Sequence, residues 1–182
     1  EFSRLFYQKY IFFTQSILTM RALLFLFLLP LTPVFSQANL FSVVSPDKSM
    51  RATVSIDKNG TPVYTLTRNG SKIVGASKLG LVCKDVDFSK NMSWVSTRTS
   101  PHDDTWKPVW GEESEIRDQH NELIYEMETP AGQRIQVHFK LFNEGLGFRY
   151  EIPGATGQQE ITVLKEHTEF KMTGDHTAWW AP

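Results

Sequence analysis

The sequence holds a single cysteine, Cys83, so an intrachain disulfide is excluded and the fold must rest on its apolar core. It also lacks a charge bias. Nineteen Lys and Arg against twenty Asp and Glu leave a net charge of −1. With a pI near 6.6, the chain offers no electrostatic footprint for nucleic acid or an anionic membrane. No apolar run is long enough to span a bilayer, which takes about 20 residues. The longest, Ala22 to Leu29, stops at Pro30. Low-complexity tracts, long charge runs and internal repeats are absent. So are a phosphate-binding loop, a nucleophile elbow and a zinc-binding helix. Beyond residue 36, no eleven-residue window keeps apolar residues at i, i+3, i+4 and i+7, so the sequence predicts no helix there.

What is present starts at Met20. Residues 1–19 open without a methionine and read as upstream sequence translated through the true start. From Met20, the basic Arg21, the apolar run and the small residues Val34 and Ser36 make a secretory signal over residues 20–36, with cleavage before Gln37. The expectation is a protein exported to the periplasm or beyond. Residues 37–182 are one domain's worth of chain. They end on Trp179-Trp180-Ala181-Pro182, two costly indoles and a turn-forming proline, which predicts a domain truncated at its C-terminal end.

Within residues 37–182, apolar residues recur with period two between turn signals. Ala52, Val54 and Ile56 share one face, and Asp57-Lys58-Asn59-Gly60 reverses the chain into Val63–Thr67, which stops at Asn69-Gly70. Short strands at Ile73-Val74 and Leu79–Val82 continue the meander. Leu123, Tyr125 and Met127 make another strand, closed by Pro130-Ala131-Gly132. Ile135, Val137, Phe139 and Leu141 alternate with Gln136, His138 and Lys140, which predicts one core face and one solvent face. Asn143-Glu144-Gly145 then turns the chain into Phe148, Tyr150 and Ile152. Ile161–Leu164 and Glu169–Met172 add two more strands. Strands every eight to twelve residues, with no helix, predict an all-β antiparallel β-sandwich.

Chemistry-bearing residues are sparse. Glycoside hydrolysis requires two carboxylates across one bond. Glu112 and Glu113 are adjacent and would point opposite ways on a strand, whereas Glu113 and Glu115 would share a face that nothing marks as a cleft. A solvated loop and edge strand accounts for this stretch. His102-Asp103-Asp104 has metal-ligand residue types, but between Pro101 and Trp106 it reads as an aspartate-rich loop. His138 reads as a surface residue, and His120, His167 and His176 show no acidic or thiol partner at a useful spacing. Cys83 reads as a small buried hydrophobe. Trp94, Trp106, Trp110, Trp179 and Trp180 can each pack in a core or between domains, or stack on the flat faces of sugars.

Three stretches together resemble the N-terminal domain of glycoside hydrolase family 97. They are Trp110-Gly111-Glu112 with Ile116-Arg117 and Asn121-Glu122-Leu123, the hairpin FKLFNEGLGFRYEIP at 139–153, and TAWWAP at 177–182. The resemblance implies the N-terminal β-super-sandwich of a calcium-dependent, exo-acting α-glucosidase or α-galactosidase acting on α-linked oligosaccharides. It implies a (β/α)8 catalytic barrel elsewhere in the same polypeptide, with catalytic carboxylates and calcium ligands expected beyond residue 182. No catalytic or metal-binding residue is therefore assigned within this chain. Trp179 and Trp180 are the residues expected nearest the cleft, as substrate-side or interface groups. The alternative is a non-catalytic carbohydrate-binding sandwich.

Overall fold

The computed structural model describes residues 39–154, 160–175 and 177. The signal segment, His176, Trp179 and Trp180 lie outside the described residues. Ten strands follow one another without a helix among the described residues: β1 (Phe41–Val44), β2 (Met50–Ile56), β3 (Pro62–Arg68), β4 (Ser71–Lys78), β5 (Leu81–Cys83), β6 (Ser93–Trp106), β7 (Ile116–Glu128), β8 (Arg134–Leu141), β9 (Leu146–Glu151) and β10 (Val163–Glu166). Two four-stranded meanders, β1-β2-β3-β4 and β6-β7-β8-β9, form the main sheets, and β5 pairs with β10 in a small third sheet. Every ladder is antiparallel.

The turns follow from their residues. Asp57 Oδ1 accepts from the backbone N–H groups of Asn59 and Thr61 at 2.8 and 2.9 Å, closing the turn between β2 and β3. Gly60 sits there at φ 72°, with the Asn91 backbone so close that a Cβ would lie 2.5 Å from its Cα. Asn69 and Gly70 both take positive φ, 49° and 80°, in the two-residue loop that joins the paired Arg68 and Ser71. That is the left-handed pair a type I′ hairpin requires.

The core lies between the two main sheets. Ala52, Val54, Tyr64, Leu66 and Val74 from the first meet Leu123, Tyr125, Met127, Ile135, Val137, Phe139 and Leu141 from the second, all buried. Aromatic rings bridge the layers: Tyr64 lies 6.2 Å from Phe139 and 5.6 Å from Phe148, and Phe41 lies 5.8 Å from Tyr125. Tyr64 also donates its hydroxyl hydrogen to the Glu169 carbonyl at 2.9 Å. The expected antiparallel sandwich is therefore the observed fold.

Several details differ from the sequence reading. His102–Asp104 is not a loop but the outer end of β6, a 14-residue edge strand. Most of its residues are exposed on both faces, so no period-two apolar signal marks it. Its pairing to β7 holds it instead, and an edge position tolerates Pro101. Glu169–Met172 makes only a bridge between Val74 and Met172, and β10 starts at Val163 rather than Ile161. Trp94 is not a core residue: its ring stacks on Phe41 at 5.1 Å and stays partly exposed.

Candidate functional site

The outer end of the β6–β7 ribbon projects past its neighbour. β6 and β7 pair from Ser93↔Glu128 to Trp106↔Ile116, whereas β8 joins β7 only from Asn121 onward. Residues directly opposite on an antiparallel ladder share a face. His102 and His120, Asp104 and Asp118, and Trp106 and Ile116 are such pairs. On β7 the inward residues are Leu123, Tyr125 and Met127, so His120 and Asp118 lie on the sheet's outer side by alternation. The opposite face carries Asp103, which a fork from Arg117 grips through Nε and Nη2 at 2.7 and 2.6 Å. That guanidinium holds the Asp103 carboxyl below the usual carboxylate range.

His120 is the structural surprise. It is only 2% exposed, packed against Phe142 at 5.0 Å and against His102 at 4.7 Å between ring centroids. Its Nδ1 lies 2.5 Å from Asp118 Oδ1, and Asp118 Oδ2 lies 3.7 Å from His102 Nε2. From the sequence alone, His120 shows no acidic partner at a useful spacing. The partner is two residues away on the same face, and the second histidine becomes visible only once the ribbon's register is known.

His138 also departs from expectation. The alternation that places it opposite the core is correct, but its side chain is 8% exposed rather than solvated. Glu122 Oε1 lies 3.2 Å from its Nδ1, and Glu151 Oε2 lies 3.3 Å from its Nε2. Long polar side chains from β7 and β9 cover the ring. The outer face of the second sheet thus carries two buried histidines, each beside a carboxylate.

No glycosidase acid–base pair emerges among the described residues. Glu112, Glu113 and Glu115 are exposed in the loop between β6 and β7, where Glu115 pairs with Lys107 at 3.3 Å. Wherever a carboxyl is displaced among the described residues, it is displaced downward. The Ser45 hydroxyl lowers Asp47, and Lys171 lowers Glu169. At Asp87 burial alone would raise the carboxyl, but hydrogen bonds from Ser89 together with the Lys90 ammonium lower it on balance. A general acid needs the opposite displacement. Cys83 is buried, and burial pushes its thiol up, which suits packing rather than nucleophilic attack. On the described residues, Trp106 and Trp110 are the most exposed indoles, at 51% and 87%.

The sequence matches the family described as Glycosyl-hydrolase 97 N-terminal over residues 43–182. A glycoside hydrolase family 97 enzyme from Pseudoalteromonas sp., solved in complex with panose and with acarbose, has a TM-score of 0.68 and 33% identity to this chain. The match covers 78% of this chain and 22% of that one. A beta-arabinopyranosidase crystal structure gives a TM-score of 0.67 at 26% identity, covering 72% of this chain and 21% of that one. A probable retaining alpha-galactosidase of Streptomyces bingchenggensis is 21% identical over 169 residues, which is 91% of this chain and 26% of that protein. The chain therefore spans about a quarter or less of the length of these relatives. A match over residues 43–182, on an all-β antiparallel sandwich, places the chain in glycoside hydrolase family 97 as its N-terminal domain.

Proposed function

We propose that this domain serves an exported, exo-acting α-glycosidase that releases terminal α-linked glucose or galactose from oligosaccharides. The carrying observation is the family match over residues 43–182 in a chain whose described residues hold no acid–base carboxylate pair. Chemistry in such an enzyme belongs to a companion catalytic domain, a (β/α)8 barrel, and the sandwich supplies part of its packing and cleft wall. The secretory segment at 20–36 supports a periplasmic or secreted location, and Trp179 and Trp180 are the candidates for the substrate side or the domain seam.

Calcium is proposed for the complete polypeptide, with its ligands expected beyond residue 182. Calcium takes six to eight oxygen donors. The His102, Asp118 and His120 group is rich in nitrogen and does not fit that demand. No residue up to 182 is assigned to calcium.

The test is hydrolysis of p-nitrophenyl α-glucoside, α-galactoside and β-arabinopyranoside by the complete polypeptide, with and without a chelator. Cleavage of one α-glycoside that is lost on chelation and restored by calcium supports the reading. Cleavage of neither α-glycoside would sink it. The exposure of Trp106 and Trp110 favours a second reading, a carbohydrate-binding sandwich. That reading predicts maltooligosaccharide binding by residues 37–182, seen as tryptophan quenching.

A further inference from the structure

The geometry points to a divalent transition-metal site on the outer face of the β6–β7 ribbon, held by His102, Asp118 and His120. It does not depend on the glycosidase reading. One ligand atom from each of the three residues lies within 4.8 Å of those of the other two. Donors on a common metal with bonds of about 2.0–2.2 Å stand no more than about 4.4 Å apart. The group therefore needs a small inward closure. The His102 side chain, 47% exposed and at the open edge of the sheet, has the freedom to make it.

Three further observations fit a cation there. Asp104 stands directly across the ladder from Asp118 on the same face. Like charges in that position repel, and a bound cation converts the repulsion into attraction. Asp104 is exposed and can serve as a fourth donor or hold a metal-bound water. His120 is nearly fully buried and its Nδ1 faces Asp118, so the ring is already fixed beside the carboxylate. Finally, the 2.5 Å between His120 Nδ1 and Asp118 Oδ1 is short even for a charge-assisted bond of about 2.7–2.9 Å. A metal taken up by these two groups displaces the proton between them.

Donor chemistry sets the class of ion. Two imidazoles and a carboxylate suit Zn²⁺, Ni²⁺ or Cu²⁺, whereas Ca²⁺ and Mg²⁺ prefer oxygen alone. With His102 on the exposed side, the site keeps an open coordination position. Bound metal would staple the free end of the ribbon, where β8 no longer supports β7.

The experiment is calorimetric titration of the untagged full chain with ZnCl₂, repeated with CaCl₂, alongside thermal melts by circular dichroism. We expect one equivalent of Zn²⁺ to bind with micromolar or tighter affinity and to raise the melting midpoint, with no matching response to Ca²⁺. Because His102 is exposed, His102→Ala should fold as wild type and bind Zn²⁺ at least about tenfold more weakly, since losing even an outer-shell partner of a metal site costs about that much. Asp118→Asn should behave likewise. His120→Ala removes a buried ring and can unfold the ribbon, so the exposed His102→Ala variant is the decisive one. The proposal is overturned if Zn²⁺ gives no saturable binding, if His102→Ala binds as tightly as wild type, or if Ca²⁺ binds equally well.

Discussion

Replacing Tyr64 by Phe should weaken the domain at neutral pH and protect it at high pH. Tyr64 is 1% exposed at the centre of the sandwich, within reach of Phe139, Phe148 and Phe170. Burial, with a smaller push from Tyr150, raises its phenol from 10.0 to about 12. A phenol whose folded pKa is raised favours the native state fully below the unfolded value of 10.0. That contribution then disappears as pH climbs toward about 12. Two units correspond to about 2.7 kcal/mol in all, of which about 1.4 kcal/mol is already gone at pH 11. Tyr64→Phe keeps the ring but leaves the Glu169 carbonyl without its donor, which costs about 1 kcal/mol at neutral pH. Wild type should therefore be more stable by about 1 kcal/mol at pH 8, and the two should converge near pH 11. Urea unfolding at both pH values measures this directly, and Tyr125, raised in both proteins by burial alone, cancels in the difference. Parallel loss of stability in both proteins between pH 8 and pH 11 would refute the reasoning.

The remaining predictions probe other parts of the fold. The buried Tyr125 hydroxyl has no hydrogen-bond partner among the described residues, so Tyr125→Phe should raise stability by about 1 kcal/mol in urea titrations at neutral pH. Gly60→Ala forces a Cβ to within 2.5 Å of the Asn91 Cα at a left-handed φ, and should cost about 2 kcal/mol or more on the same assay. In the complete polypeptide, if it turns over α-glycosides as proposed, changing Trp179 and Trp180 together to Ser should raise KM or lower the melting midpoint, and unchanged values of both would remove these residues from the cleft and the seam.

The parts of the fold legible in the sequence were those with an uneven polarity across a strand. β8 has Ile135, Val137, Phe139 and Leu141 on one side only, and the Asn69-Gly70 pair has a backbone requirement that few residues meet. β6 had neither. Residues on both its faces are exposed at the ribbon's outer end, so its strand state comes from long-range pairing with β7 across an exposed loop. The outer-face site was hidden for the same reason. His102 and His120 are 18 positions apart and meet only because the register sets them opposite each other. His138 was placed on the correct face, but polarity alone did not reveal that Glu122 and Glu151 would cover it.

The most direct test of the division between sandwich and catalytic domain compares two proteins on the same α-glycosides: residues 37–182 alone, and the complete polypeptide that carries them. Turnover is expected from the complete protein and none above background from the isolated sandwich, whose described residues hold no acid–base pair. Comparable turnover by residues 37–182 alone would place the chemistry in the sandwich and contradict that division.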